Sequence, residues 1–278
     1  VDSAQKSKSP PPPSASADKV KAAAGTQPEP VRSMLATLAD AGAKGSRAGE
    51  REVLTGELKP IFDFCSRAIA NRYPFASGSK ADVLPEDFGQ LFGPGGMLDE
   101  FYQRRLSTLV DTGTNPWSYK PLADGARPAG SAALAEFQRA ARIREGFFRS
   151  GGKTPGFKIE IRAVEMSDAL KELSIDIDGQ VLKFVAGNTT SIVLGWPSQQ
   201  VSSQIKLSTT PTSAPLMFEG PWALFRLFDR FDVQPSGQPE KFFLLVNVEG
   251  KRAKLEVIAN SVLNPFRMRE IQQFRCPG

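Results

Sequence analysis

The hydrophobic period of this chain changes once, at Gly151-Gly152, and that change limits the fold more than any other feature. Before it, apolar residues return every three or four positions, as one face of a helix requires. After it they alternate at every second position, as half-buried strands do. A chain of 278 residues has room for one large domain or two ordinary ones. The expected architecture is therefore α+β: a helical subdomain over 31–152, followed over 153–278 by an antiparallel β-sandwich-like domain with one short inserted helix.

Three stripes carry the helical half. Val53, Leu54, Leu58, Ile61, Phe62, Phe64, Cys65, Ala68 and Ile69 form the first, with Pro60 read as a kink or boundary. Leu98, Phe101, Tyr102, Leu106, Leu109 and Val110 form the second. The third runs through Leu134, Phe137, Ala140, Ala141, Ile143, Phe147 and Phe148 from a Ser131 cap. Loops rich in Pro and Gly separate them at 73–79, 93–96 and 115–130. Residues 1–30, with a proline run at 10–13, read as a disordered linker.

The strand half can be read to the level of register. Phe157, Ile159, Ile161 and Ala163 alternate with Lys158, Glu160 and Arg162. Asp178-Gly179 is a favoured type I′ pair and sets Ile177 opposite Gln180, Ile175 opposite Leu182 and Leu173 opposite Phe184. A turn at Glu249-Gly250 sets Val246 opposite Ala253, Leu244 opposite Leu255 and Phe242 opposite Val257. A slip of one residue would send each apolar set to the wrong face. With further strands near 191–196, 203–207 and 215–218 the total is about eight, a sandwich pattern. The inserted helix starts at Pro221 and carries Trp222, Leu224, Phe225, Leu227, Phe228 and Phe231. It is expected to plug an open end of the β core.

The chain contains no histidine and only two cysteines, Cys65 and Cys276. Histidine-based triads and Cys/His metal sites cannot be built from it. Carboxylate pairs, Ser-Lys pairs and oxygen-ligand metals stay possible. The two thiols allow two states: separate buried side chains in a reducing compartment, or a long-range disulfide in an oxidising one. The Gly93-Pro94-Gly95-Gly96 loop precedes a helix but follows no strand and lacks a Lys-Ser/Thr, so it reads as a turn rather than a phosphate cradle. Asp99 and Glu100 point to different helix faces and make a poor acid/base couple. Asp229 beside Arg226 and Arg230 reads as a local ion pair. No catalytic, cofactor-binding or metal residue is assigned.

A net charge of +5 is not concentrated as nucleic-acid binding requires. The densest group, Arg139, Arg142, Arg144 and Arg149, is interleaved with Glu136 and Glu145 and reads as a solvated helix face. No apolar run reaches a membrane span and no signal-peptide core is present, so no direct membrane insertion is expected. The start at Val1 rather than Met reads as a trimmed chain.

Colinear strings nevertheless resemble the IcmF/TssM family of type VI secretion proteins. They are Arg72-Tyr73-Pro74-Phe75, Phe88, and Phe92-Gly93-Pro94-Gly95-Gly96-Met97-Leu98-Asp99 with Phe101. Phe137-Gln138-Arg139-Ala140 with Ile143-Arg144 and Phe147-Phe148 follow, then Gly195-Trp196-Pro197. The most specific is Gly220-Pro221-Trp222-Ala223-Leu224-Phe225-Arg226-Leu227; Asn264-Pro265-Phe266 and Phe274-Arg275-Cys276-Pro277 complete the series. The resemblance covers almost everything from Val53 to Pro277. It implies a periplasmic region of an inner-membrane protein, helices followed by a β-domain. It further implies binding to an outer-membrane lipoprotein of the TssJ type, to other copies of itself and to inner-membrane complex subunits. The family's nucleotide-binding segment and membrane spans have no counterpart here. One departure stands out: after Asp178-Gly179-Gln180 the family pattern leads to expect a His-Gly-Pro-like segment, replaced here by residues 185–188. Partner-contacting residues cannot be named from these strings; loops and strand edges of the β-rich domain are the expected place. The competing reading is an envelope-glycan-binding or carbohydrate-active sandwich, motivated by Trp117, Trp196 and Trp222. Exposed indoles in a groove would favour it.

Overall fold

The computed structural model describes residues 47–121, 125, 132–148, 152–185, 187, 190–198, 203–210, 212–259 and 263–277. The linker at 1–30, a helical start near 31, Ser131 and Gly151 lie outside those residues.

Helix α1, Arg47–Ala68, contains Pro60 inside it rather than at an end. Pro60 and Gly56 are both exposed, so the Gly56 carbonyl that loses its helical donor can bond to water, and the helix continues through Pro60. Leu54, Leu58, Ile61, Phe64 and Cys65 make the buried stripe, whereas Val53 and Phe62 point to solvent. Helix α2, Pro85–Phe92, was not resolved as an element by periodicity. Its eight residues are too few for a clear stripe, although proline near its start and Glu86 and Asp87 in its first turn mark it. It buries Phe88, Leu91 and Phe92. Helix α3, Met97–Phe101, passes into a π-helical turn, Tyr102–Leu106. A two-residue ribbon pairs β1, Val110–Asp111, with β2, Ser118–Tyr119. Helix α4, Ala132–Phe147, buries Leu134, Phe137, Ala140, Ile143 and Phe147, the expected third stripe.

Two antiparallel sheets follow. Strands β3 (Phe157–Met166), β6 (Ser191–Trp196), β9 (Asp232–Pro235), β10 (Lys241–Val248) and β11 (Lys251–Ala259) form one, in the order β6-β3-β11-β10-β9. Strands β4 (Glu172–Ile177), β5 (Gln180–Val185), β7 (Gln204–Ser208) and β8 (Leu216–Glu219) form the other, in the order β5-β4-β7-β8. Both hairpins have the register read from the sequence: Ile175 faces Leu182 and Leu173 faces Phe184, while Leu244 faces Leu255 and Phe242 faces Val257. Asp178 and Gly179, and Glu249 and Gly250, all have positive φ, the geometry of a type I′ turn. Strand β9 carries no strand pattern of its own, since Val233 is its only apolar residue. Its place is set by pairing with β10, where Val233 meets Leu244.

Helix α5, Ala223–Asp229, joins β8 to β9 and touches both, so it covers the flank where those edge strands lie. Phe228 packs against Phe242 of the sheet at 5.7 Å between ring centroids. The expected plug is present, though it ends before Phe231. Residues after β11 return to the helical half. A 3₁₀ turn, Pro265–Arg267, and helix α6, Arg269–Gln273, precede a tail whose Cys276 forms a disulfide with Cys65 of α1. The Asn264-Pro265 turn, a dipeptide that favours surface turns, is buried here. Asn264 accepts a bond from the Phe266 N–H at 3.0 Å, and the Phe266 ring sits 4.5 Å from Phe225 and 4.4 Å from Phe228. Burying three rings outweighs exposing the loop. One continuous apolar cluster runs from Leu54 in α1 through both sheets to Phe274.

The disulfide closes 211 residues of chain. In the chain-entropy account so long a loop contributes up to about 5 kcal/mol, and about 2–5 kcal/mol is usual for removing a native bridge. Cys276→Ser should lower the unfolding free energy by an amount in that range, measured by urea titration with and without reductant. Reductant should move the parent protein towards the variant and leave the variant unchanged.

Candidate functional site

Asp99 and Asp229, two acids singled out in the sequence, are both engaged in structure. Asp99 accepts the Gly95 N–H at 2.9 Å and pairs with Arg144 at 2.7 Å, which makes the glycine loop a tight entry to α3. Arg139 pairs with Glu136, leaving Arg142 exposed among the arginines of α4. Arg105 grips Glu57 through two bonds, at 2.9 and 2.5 Å, and holds that carboxyl below the usual carboxylate range. Among the described residues no group of three or more His, Cys, Asp or Glu is arranged to hold a metal ion.

Asp229 departs from the expected local ion pair. It accepts the Tyr73 hydroxyl at 2.6 Å, and burial together with that carboxylate pushes the tyrosine well above its ordinary pKa. Arg226 reaches past Asp229 to Asp82, donates to the Ser79 carbonyl at 3.1 Å and lies over the Tyr73 ring at 4.0 Å. The Gly220-Pro221-Trp222 string explains itself here. Gly220 has φ of 91°, and a side chain there would strike the Asp82 carboxylate. The Trp222 N–H donates to Asp82 at 3.4 Å and its indole N–H donates to the Val83 carbonyl at 2.7 Å. The Trp196 indole N–H in turn donates to the Pro221 carbonyl at 2.9 Å, with the two indoles 4.6 Å apart. Every polar residue of the most specific string thus touches the 79–83 loop of the helical half.

This geometry removes the glycan platform. Trp222 is fully buried and Trp196 is 3% exposed. Trp117 is half-buried against Tyr102 at 5.4 Å. No pair of tryptophans faces a groove.

What lies open is of another kind. A cleft of about 1410 Å³ separates the 84–100 segment from residues 153–158 and is bounded by Trp196, Pro197 and Ser198. It carries Glu86 and Glu100 as well as Lys153 and Lys158, so no single charge sign prevails. Beside it runs β6, an edge strand paired only with β3 among the described residues. Since β3 also touches β5, the β5 and β6 edges share one flank, opposite the flank covered by α5. Val181 and Val185 on β5 and Val193 on β6 are exposed there. Sequence reasoning expected contacts at strand edges but could not say which, because edge status depends on sheet order. Asp178 holds a second role that no sequence signal announced. Besides shaping its turn, it accepts the Gln204 N–H at 2.7 Å and the Ser203 hydroxyl at 3.2 Å, fastening β7 to the hairpin.

A helical brace welded to a two-sheet domain defines the class, and comparison with known proteins gives it a family. The family described as type VI secretion protein IcmF C2-like domain matches residues 159–261. Over 264 residues, 93% of the chain, the sequence is 33% identical to the type VI secretion system component TssM1 of Pseudomonas aeruginosa strain PAO1. The chain spans 24% of that relative's length. Among solved structures, the TssM C-terminal domain from EAEC superposes with a TM-score of 0.67 at 17% identity, covering 81% of this chain and 96% of that one. A type VI secretion system membrane core complex also matches, at 0.67 and 17%, over 83% of this chain and half of that chain. At that identity the likeness is one of fold. The chain belongs to the IcmF/TssM family and resembles its C-terminal region.

Two outcomes follow from these contacts. Arg226→Ala leaves Asp82 without its cation in a partly buried setting. The cost should be about 2–3 kcal/mol in chemical denaturation, discounted from the fully buried case because the pair keeps some contact with water. Glu136 gives the second. Burial raises its carboxyl above the ordinary 4.5, against the opposing pull of the Arg275 N–H and Arg139. Its contribution to stability is therefore fully present below pH 4.5 and is lost as pH rises through the raised value. Glu136→Gln should flatten that segment of the stability-versus-pH curve, read from denaturation midpoints between mildly acidic and neutral pH.

Proposed function

We propose that this chain is a non-catalytic scaffold segment of a type VI secretion membrane complex, lying in the periplasm, with its β-rich part binding an outer-membrane lipoprotein of the TssJ type. The carrying observation is that the family's most specific string is spent on joining two halves of a scaffold rather than on a reactive site. Gly220, Trp222 and Arg226 all engage the 79–83 loop, and the best candidate acids, Asp99 and Asp229, are tied into structure. The Cys65–Cys276 bridge favours an oxidising compartment such as the periplasm, where disulfides persist. Among the described residues no helix is long and apolar enough to cross a membrane, which suits a segment that acts beside one.

In this reading residues 31–152 are a brace, 153–278 present the partner surface, and 1–30 are a tether. Copies of the chain and inner-membrane subunits are further partners. The glycan-binding alternative loses its motivation with the burial of Trp196 and Trp222.

The test is co-purification of the 278-residue chain with the matching lipoprotein lacking its acyl group. A co-eluting complex whose formation is unaffected by glycan fragments is expected. Failure to co-elute at concentrations of about 10 μM, at or above the affinity typical of transient assemblies, would sink the partner assignment.

A further inference from the structure

The four edge strands of the sandwich are not equally protected. Natural edges are blunted by charge, proline, shortness or a covering element. Strand β9 has four residues including Asp232 and Pro235, and β8 has four ending in Glu219; α5 packs on both. Strand β5 has six residues with Lys183 near the middle of its exposed face. Strand β6, Ser-Ile-Val-Leu-Gly-Trp, is equally long and carries no charge and no proline. Its Val193 is 59% exposed, the highest value among the large apolar side chains of the described residues.

We infer that β6 is a self-pairing edge, at which two copies of this chain join antiparallel about Val193 to make one sheet from two. The assignment deepens the scaffold reading by naming a surface for contact between copies, and it rests on that reading only for its biological setting.

Charge and register single out the second copy as the occupant. A two-fold axis at Val193 places Val193 opposite Val193 of the second copy. Ile192 then faces Leu194 of the second copy on the core side, and Ser191 faces its Gly195 on the outer side. Apolar meets apolar and small meets small, with no like charges opposed. The same operation on β5 centred at Lys183 would match Val181 with Val185 but set two lysines face to face, which is destabilising. The flanking charges on β3 do not object. Lys158 sits beside Gly195, Glu160 beside Val193 and Arg162 beside Ser191. Lys158 of one copy and Arg162 of the other would be three strand spacings apart, about 14 Å, beyond a Debye length of about 8 Å at physiological salt.

Extent sets the strength. Five residues of each strand, 191–195, pair across the axis and span about 17 Å, and a contact of that size buries less than the roughly 1,200 Å² of a stable interface. Pairing should be weak for the isolated chain and effective where copies are held side by side, because tethering supplies a high local concentration. Isolated copies would thus stay apart and copies held in an assembly would join.

A cysteine at the two-fold axis tests this directly, since residue 193 is its own neighbour across the contact. The two native cysteines are already joined to each other. In the full 278-residue chain, Val193→Cys should form a disulfide-linked dimer on mild oxidation roughly tenfold faster than Val181→Cys, through the raised local concentration of paired strands. Val193→Lys should abolish the concentration-dependent rise in sedimentation coefficient of the parent chain, whereas Val193→Thr should keep it. Thermal melts establish that all four variants are folded. Equal cross-linking at 193 and 181, or unchanged sedimentation of Val193→Lys, overturns self-pairing. If Val193→Lys sediments as the parent does but no longer captures the lipoprotein, the edge belongs to that partner's strand and pairing of copies is wrong. Loss of lipoprotein capture by the parent chain itself would instead strike the scaffold reading and leave the self-pairing result standing.

Discussion

Trp222 is the residue on which the two halves depend. Its ring is fully buried between α2, α4 and the sandwich, with Phe88 at 5.4 Å, Phe147 at 5.9 Å and Trp196 at 4.6 Å. An indole brings a large apolar area and one N–H that must find an acceptor when buried. Here the acceptor is the Val83 carbonyl, on the other half of the molecule. The hydrogen bond therefore selects how the halves meet, while the rings supply most of the burial energy. The Arg226–Asp82 pair and the Tyr73–Asp229 bond lie around the same loop. Such partly buried pairs add little net stability, but misdocking would strand them, so they sharpen specificity.

From that joint the rest of the architecture can be followed outward. Helix α5 begins one residue after Trp222, so fixing the indole also fixes the helix that covers the β8 and β9 flank. The chain then builds the β10–β11 hairpin, delivers Phe266 onto Phe225 and Phe228, and ends at the disulfide on α1. The β5 and β6 flank is left uncovered.

Much of this was legible in the sequence where a local rule decides the outcome. The hairpin registers follow from turn residues and alternation, and both are met residue for residue. The α+β class follows from the change of period. Legibility failed where the outcome depends on a distant neighbour. Strand β9 has one apolar residue and is a strand because β10 pairs with it. Asn264-Pro265 looks like a surface turn and is buried because Phe266 completes an aromatic cluster assembled from three separate segments. Asp229 looked like the partner of adjacent arginines, yet Tyr73, 156 positions away in sequence, takes it. For the interaction surface, the strings identified a family and left only an expectation of loops and strand edges. Which edge stays open required the strand order.

The Trp222 joint should make the helical and β-rich halves one cooperative unit. Native-state hydrogen exchange measures this most directly. The slowest amides of α2 and α4, such as Phe92 and Ile143, and those of β10 and β11, such as Leu244 and Leu255, should report the same opening free energy. They should also shift together as urea is added. Helical amides that exchange at a distinctly lower free energy, with the β amides unchanged, would contradict it and make the halves separate domains in contact.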